Sequence, residues 1–223
     1  MALASFKDLC IDATDADRMA RFWADVLGLR YVATAEPVKH LTGLTPRHGV
    51  WVNPVPERKT TKNRVHLDVH AASVEEVEEL GAVGLSQDVE FRWTVVADPE
   101  GGELCVFERA EVPDYRMYEL VVDSVEPGRI ARWWANALGA HLGDHERGFS
   151  FVDEIPEGPF ESIVFIPVPE PKTVKNRVHW DVDADDVQPL LHTGARMLRE
   201  PDNDIDWYVL ADPEGSEFCV FMA

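Results

Sequence analysis

Polar and apolar positions alternate along KDLCID (7–12), the pattern of a half-buried strand with one wet face. The period then changes. Along ATDADRMARFWADVLGL (13–29), Met19, Phe22, Trp23, Val26 and Leu27 fall on one side of a helix. Thr14 or Asp15 is placed to cap its first turn and Gly28 to end it. Short strand candidates run on to GVWVNPVP (49–56). RVHLDV (64–69) then opens a second unit, with SVEEVEELG (73–81) as its helix and FRWTVVADPEGGELCVFE (91–108) as a closing hairpin. In DPEG (98–101), Pro99 at the second position and Gly101 at the fourth suit a type I turn.

The same order returns in YELVVD (118–123), SVEPGRIARWWANALG (124–139), SIVFIPVP (162–169), RVHWDV (177–182), ADDVQPLLHTGA (184–195) and DWYVLADPEGSEFCVF (206–221). Three pairs of stretches match closely. ARFWADVLG returns as ARWWANALG with 6 of 9 positions identical. KTTKNRVHLDV (59–69) returns as KTVKNRVHWDV (172–182) with 9 of 11, and ADPEGGELCVF (97–107) as ADPEGSEFCVF with 9 of 11. Their offsets of 111, 113 and 114 residues are those of a duplicated domain, far above the roughly 20–50 of a solenoid repeat. The fold class is α+β. The chain divides into domains at 1–110 and 115–223, joined at RAEVPDYR (109–116), with four β-α-β-β-β units, two per half.

The FWADVLG and WWANALG helix ends, the two VPExK…KNRVHxDV runs and the two DPEGxExCVF strands resemble the vicinal-oxygen-chelate superfamily, in its glyoxalase-like or bleomycin-resistance-like members. The resemblance covers about residues 5–108 and 116–222. It implies curled mixed sheets flanked by helices, each domain closing its own half-open barrel. It also implies a small-molecule site in the concave face, where active members hold one divalent metal. That superfamily hosts lyases, isomerases, dioxygenases, thiol transferases and metal-free drug-binding proteins, so the fold does not choose the chemistry.

Alternation sorts RVHLDV into Arg64, His66 and Asp68 on one face and Val65, Leu67 and Val69 on the other; Arg177, His179 and Asp181 repeat the polar set. His66 and His179 match the family's second-unit metal ligand, and a neutral imidazole suits Zn, Ni, Mn or Fe. The plain alternative is a histidine held between its Arg and Asp neighbours. Family spacing puts Asp8 and Glu119 at the first ligand position, where histidine or glutamine is more usual. Each is otherwise a solvent-facing acid. Cys105 and Cys219 stand where active relatives carry glutamate; a thiolate can bind zinc, and a buried thiol is also a small apolar filler. The remaining ligand position falls near Asn53 or Trp51 in the first half and near Ile166 or Val164 in the second. The first half therefore offers the fuller set, Asp8, His66, Cys105 and Asn53, although it mixes hard and soft donors. Arg64 would clamp a substrate anion or pair with acidic neighbours. Glu103 and Glu217 lie on the ligand face, Glu103 as a candidate catalytic acid. Of the strand tryptophans, Trp51 and Trp207 remain as pocket candidates.

Composition narrows the partners. A net charge of −20 over 223 residues disfavours nucleic acid and anionic membrane surfaces and suits a cationic ligand or plain solubility. No apolar run approaches the ~18 residues of a membrane span, and the start does not read as a secretory leader. Three scattered cysteines without a CxxC pair point to a reducing compartment, the cytoplasm. Three functions stay open: a metal-dependent enzyme in which His66 is a ligand, Asp8 a ligand or base and Arg64 a clamp; a metal-free pocket for a planar or cationic compound; and a degenerate scaffold. Monomer and homodimer are both compatible with tandem domains.

Overall fold

A computed structural model of the chain describes residues 2–86 and 92–223 and holds the four units in the expected order. Unit 1 comprises β1 (Ser5–Ala13), α1 (Ala16–Leu27), β2 (Arg30–Tyr31), β3 (Lys39–Thr42) and β4 (Val50–Pro54). Unit 2 comprises β5 (Val65–Ala71), α2 (Val74–Glu79), β6 (Val83–Ser86), β7 (Thr94–Ala97) and β8 (Glu103–Glu108). Unit 3 comprises β9 (Met117–Ser124), α3 (Pro127–Leu138), β10 (His141–Asp144), β11 (Ser150–Asp153) and β12 (Ser162–Pro167). Unit 4 comprises β13 (Val178–Ala184), α4 (Gln188–His192), β14 (Arg196–Arg199), β15 (Tyr208–Ala211) and β16 (Glu217–Met222). Phe91, at the head of the expected closing hairpin, lies outside the described residues.

Asp15 rather than Thr14 caps α1, accepting from the Arg18 amide at 3.1 Å. Gly28 ends the helix at φ +68°, and a Cβ there would lie 2.0 Å from the Asp114 carbonyl oxygen, so the helix end and the inter-half link demand glycine together. The DPEG turn closes with the Gly101 amide on the Asp98 carbonyl at 2.9 Å. Among the described residues, no helix is long and apolar enough to cross a membrane.

The pairing of units corrects one expectation. The halves do not close their own sheets. A central sheet, in the order β10-β11-β12-β9-β5-β8-β7-β6, joins units 2 and 3; a terminal sheet, β14-β15-β16-β13-β1-β4-β3-β2, joins units 1 and 4. The physical reason lies in the connections. Residues 109–116 return the chain from β8 to run antiparallel beside β5, placing unit 3 against unit 2. The loops at 55–64 and 168–177 carry it from one sheet to the other and back. The two units of each half consequently lie in different sheets, and strands equivalent by duplication, such as β1 and β9 or β5 and β13, fall in opposite sheets.

One hydrophobic core takes the apolar faces of both sheets and the helices. Val65, Leu67 and Val69 of β5 and Val178, Trp180 and Val182 of β13 all point into it. Trp134 of α3 meets Trp180 at 4.7 Å and Phe218 of β16 at 5.0 Å, so a helix of the central pair of units packs against the terminal sheet. The polar faces are left on the concave sides.

Candidate functional site

At the seam of the central sheet, β9 runs antiparallel to β5 with Asp68 opposite Glu119 and His66 opposite Val121. The register shifts between Asp68 and Val69: Val69 pairs with Met117, so Tyr118 and Glu119 share the space of one residue. The bulge turns two consecutive side chains, Tyr118 and Glu119, onto the concave face. The terminal sheet has the same shift, between Phe6 and Leu9, at Lys7 and Asp8.

The concave face of the central sheet encloses a cavity of about 890 Å³. Its floor is His66, Asp68, Cys105 and Glu119. The His66 Nε2 lies 3.5 Å from Asp68 Oδ1 and 3.5 Å from Cys105 Sγ, and one donor atom from each of the three lies within 4.8 Å of the others. Glu119 Oε1 accepts from the Ser162 hydroxyl at 2.7 Å. Burial pushes the Glu119 carboxyl up to about 7, with the Asp68 charge adding and the Ser162 bond opposing. Burial likewise pushes the Cys105 thiol up, so it is protonated unless a cation claims it. The walls are aromatic: Trp93, Phe107, Tyr118, Phe149 and Phe151. Phe107 meets Trp93 at 5.4 Å and Tyr118 at 5.0 Å.

In the terminal sheet the equivalent floor is Asp8, His179, Asp181 and Cys219, with Cys10 added from β1. His179 Nε2 lies 3.6 Å from Asp181 Oδ1 and 3.7 Å from Cys219 Sγ, and the Cys10 thiol donates to Asp181 Oδ2 at 3.3 Å. Burial, then the Lys175 charge, push His179 down to about 3, so its imidazole is neutral. Burial pushes Asp181 up to about 7. The rim differs too. Lys7 pairs with Asp183 at 3.3 Å and sits 5.1 Å from the Phe221 ring centre, while Arg47 reaches Asp183 at 2.9 Å. Trp51 is stacked on His40 at 3.9 Å and Trp207 on Phe221 at 5.3 Å.

The grouping Asp8, His66, Cys105 and Asn53 is therefore corrected. Asp8 and Asn53 belong to the terminal sheet and His66 and Cys105 to the central one, because β1 pairs with β13 and β5 with β9. The structure instead brings together Glu119 with His66 and Cys105, and Asp8 with His179 and Cys219. Arg64 is not on the central floor. Its guanidinium donates to the carbonyls of Glu170 and Pro171 (2.9 Å to the latter) and lines a separate cavity of about 390 Å³ between the two crossing loops. Arg177 mirrors it on the Glu57 carbonyl at 2.7 Å and on Glu100 at 3.2 Å. Glu103 does line the central cavity, but it accepts from Lys59 at 2.8 Å and from the Asn63 amide at 3.0 Å. Burial alone would raise its carboxyl; these two donors outweigh it and hold Glu103 below the usual range. In each KNR motif the arginine thus ties one crossing loop to the other, while the lysine braces its own sheet, Lys62 on Asp123 and Lys175 on Asp12.

Sequence reasoning passed over Trp93, Tyr118, Ser162 and Cys10. Alternation had a signal for Cys10, two residues beyond Asp8. The bulge that exposes Tyr118 had none.

Both trios suit a borderline ion such as zinc. Each offers an imidazole nitrogen, a carboxylate oxygen and a thiol sulfur. Asp68 Oδ1 and Asp181 Oδ1 are buried with no hydrogen-bond partner, a cost that a bound cation would remove. Nδ1 of His66 and of His179 is also buried without a partner, whereas a ligating imidazole usually donates through that nitrogen. The sites fit an ion, with weaker support around the imidazole than in a fully buttressed site.

Solved structures resemble this architecture over its whole length. Glyoxalase I from Zea mays superposes with a TM-score of 0.68 at 14% identity, covering 97% of this chain and 92% of that one. A putative dioxygenase from Bacillus subtilis superposes at 0.65 with 16% identity, covering 99% and 86%. The cppA protein from Streptococcus pneumoniae does so at 0.51 with 12% identity, covering 99% and 100%. At these identities the likeness is one of fold. No curated protein matches the chain significantly in sequence. The family model described as glyoxalase-like domain matches residues 8–107 and again 119–221, most of the chain in two tandem copies. The chain belongs to the glyoxalase-like family of the vicinal-oxygen-chelate superfamily.

Proposed function

We propose that the central sheet binds a small organic molecule over a divalent ion held by His66, Asp68 and Cys105. The observation that carries this reading is the cavity itself: about 890 Å³, aromatic on its walls, with three convergent donors on its floor. A divalent ion there would supply Lewis-acid polarisation of a ligand oxygen. The chain's own residues do the rest. Phe107, Tyr118 and Phe151 exclude water and stack on a planar group. Glu119, fixed by Ser162, faces the cavity and is the group placed to take or return a proton at its carboxyl oxygen. On this reading the chemistry is that of a lyase or isomerase, with Glu119 in the role first expected of Asp8.

A second reading keeps the pocket and drops the ion. It is favoured by the aromatic walls set over an acidic floor in a chain of charge −20, which suit a planar cation.

Elemental analysis of protein purified without a metal-affinity tag, compared with His66→Ala, separates the two. Loss of bound metal in His66→Ala supports the first reading. Identical metal content in both proteins, with no uptake of added Zn, Ni, Mn or Fe at that site, overturns it. Quenching of Trp93 by a planar cationic dye then tests the second, which falls if Phe107→Ala binds the dye as well as the parent does.

A further inference from the structure

The two crossing loops, 55–64 and 168–177, meet at the cavity of about 390 Å³, which shares only Lys62 with the central one. Its lining gathers Arg58, Lys59, Lys62, Arg64, Lys175 and Arg177, six of the 21 lysines and arginines in a chain of charge −20. Two carboxylates line it, Asp12 and Glu57. Cations concentrated around one hollow set a local field opposite in sign to that of the chain as a whole.

Four of these cations already have a carboxylate. Lys59 holds Glu103 at 2.8 Å, Lys62 holds Asp123 at 2.5 Å, Lys175 holds Asp12, and Arg177 holds Glu100 at 3.2 Å. Two have none. Arg64 donates to the Glu170 and Pro171 carbonyls through Nη2 alone, leaving Nε and Nη1 without an acceptor among the described residues. Arg58 is exposed and makes no ion pair or hydrogen bond among them. Against these two arginines stands one lining carboxylate without a cation, Glu57.

The duplication separates what the loops need from what they add. Arg64 and Arg177 each tie one loop to a carbonyl of the other, so loop packing accounts for both. It does not account for Arg58 and Thr61, whose copies 113 residues on are Pro171 and Val174. The Thr60 and Thr61 side chains also line the hollow without a hydrogen bond among the described residues. Asn176, 4% exposed, lines it too, and its Nδ2 is buried with no partner. The hollow is thus rich in donors that lack acceptors, a costly state for those that are buried.

We infer that this hollow between the crossing loops binds a phosphate group, held by Arg58 and Arg64 with the Thr60 and Thr61 hydroxyls beside them. Guanidinium N–H groups lie in one plane and meet phosphate oxygens in pairs, and hydroxyls donate to the same oxygens. A carboxylate offers two oxygens and one charge. Phosphate offers at least three oxygens and nearly two charges, enough to engage both arginines at once. Bound there, it adds a second link between the loops that carry the chain from sheet to sheet. The inference does not depend on the reading of the central cavity.

Calorimetric titration of the full chain at constant ionic strength tests it, with inorganic phosphate and glycerol phosphate as probes. Saturable binding is expected, weakened about tenfold in Arg58→Ala and tightened about threefold in Glu57→Gln. Arg64→Gln should weaken it as well but also unties the loops, so Arg58→Ala, which breaks no contact, is the deciding variant. Tighter binding of glycerol phosphate assigns a phosphate ester; equal or weaker binding assigns the free ion. The parent's melting temperature is expected to rise with the tighter-binding probe. Absence of heat with both probes at millimolar concentration, in folded protein, overturns the inference. So does unchanged binding in Arg58→Ala, or an equal loss in Arg18→Ala, an exposed arginine of α1 outside the cavity.

Discussion

The two sheets started as copies and now differ where a ligand would be felt. At the rim of the terminal sheet stand Lys7 and Asp183, paired at 3.3 Å; at the same places in the central sheet stand Tyr118 and His70, their rings 4.6 Å apart. One sheet is edged by an ion pair, the other by two rings, of which Tyr118 lines the cavity of about 890 Å³. On the floor, Cys10 faces Val121 across the duplication, and Asp8 faces Glu119. Gly49 lies beside Asp8 so closely that a Cβ would come within 2.3 Å of its Oδ1, while Ser162 in the matching place donates to Glu119. Shared backbone, bulge included, preserves the position of the donors. Side-chain changes decide what surrounds them.

Swapping residues between the copies probes that difference. The largest effect is expected in the core beneath the floors, where Trp180 occupies the place of Leu67. Trp180→Leu vacates space against Trp134 and is expected to cost about 3 kcal/mol in chemical denaturation. A cost below 1 kcal/mol, roughly that of a volume-conserving swap, would mean that the terminal core repacks freely.

Next is Glu119. Its carboxyl is raised to about 7 in the fold from near 4.5 unfolded, so the native state holds the proton that the unfolded chain releases. The stability this gives is complete below pH 4.5 and is lost as pH rises through 7. Glu119→Gln is therefore expected to be more stable than the parent by about 2 kcal/mol at pH 8, after allowing for partial solvent exposure, and equal to it at pH 4. Melts at the two pH values check this; an equal gap at both would place the effect outside ionisation.

The double change Tyr118→Lys/His70→Asp rebuilds the terminal rim on the central sheet. It should weaken binding of a planar cationic dye by about tenfold, a loss of ~1.4 kcal/mol, because a stacking ring is replaced by an ammonium group. Undiminished binding would remove Tyr118 from the pocket.

The smallest contrast is between the turn acids. Glu100 accepts from the Thr14 amide at 2.9 Å, its hydroxyl at 2.9 Å and the Asp15 amide at 2.7 Å, and also holds Arg177. Glu214 accepts from Ser124, Val125 and Glu126 without an arginine. Glu100→Gln is expected to cost about 1 kcal/mol more than Glu214→Gln in parallel denaturation curves.

The duplication, the units and the inward faces of β5 and β13 were legible because period and turn chemistry are local properties. Asp15, one of two expected caps, Gly28 and DPEG stand where the sequence puts them, and Trp180 lies in the core as alternation requires. The pairing of units was not legible. Whether β1 lies beside β5 or β13 depends on the reach of 55–64 and 109–116, and both partners carry the same RVHxDV face. That choice moved Asp8 away from His66. Tyr118 was hidden for a different reason: a bulge inserts one residue, and alternation read across it puts Tyr118 on the wrong side. Arg64 looked like a clamp because the carbonyls that hold it come from Glu170 and Pro171, more than a hundred positions later.

The crossed pairing has a consequence for the order of events during synthesis. β1 leaves the ribosome well before one of the two strands it must lie against, β13, which begins at Val178, and Cys10 and Asp181 are separated by 171 positions. Units 2 and 3, joined by residues 109–116, can close their sheet while unit 1 still waits as an unpaired edge, exposed to other chains. Pulse-labelled amide exchange during refolding should then protect β5 and β9 ahead of β1 and β13; simultaneous protection would mean that both sheets nucleate as one.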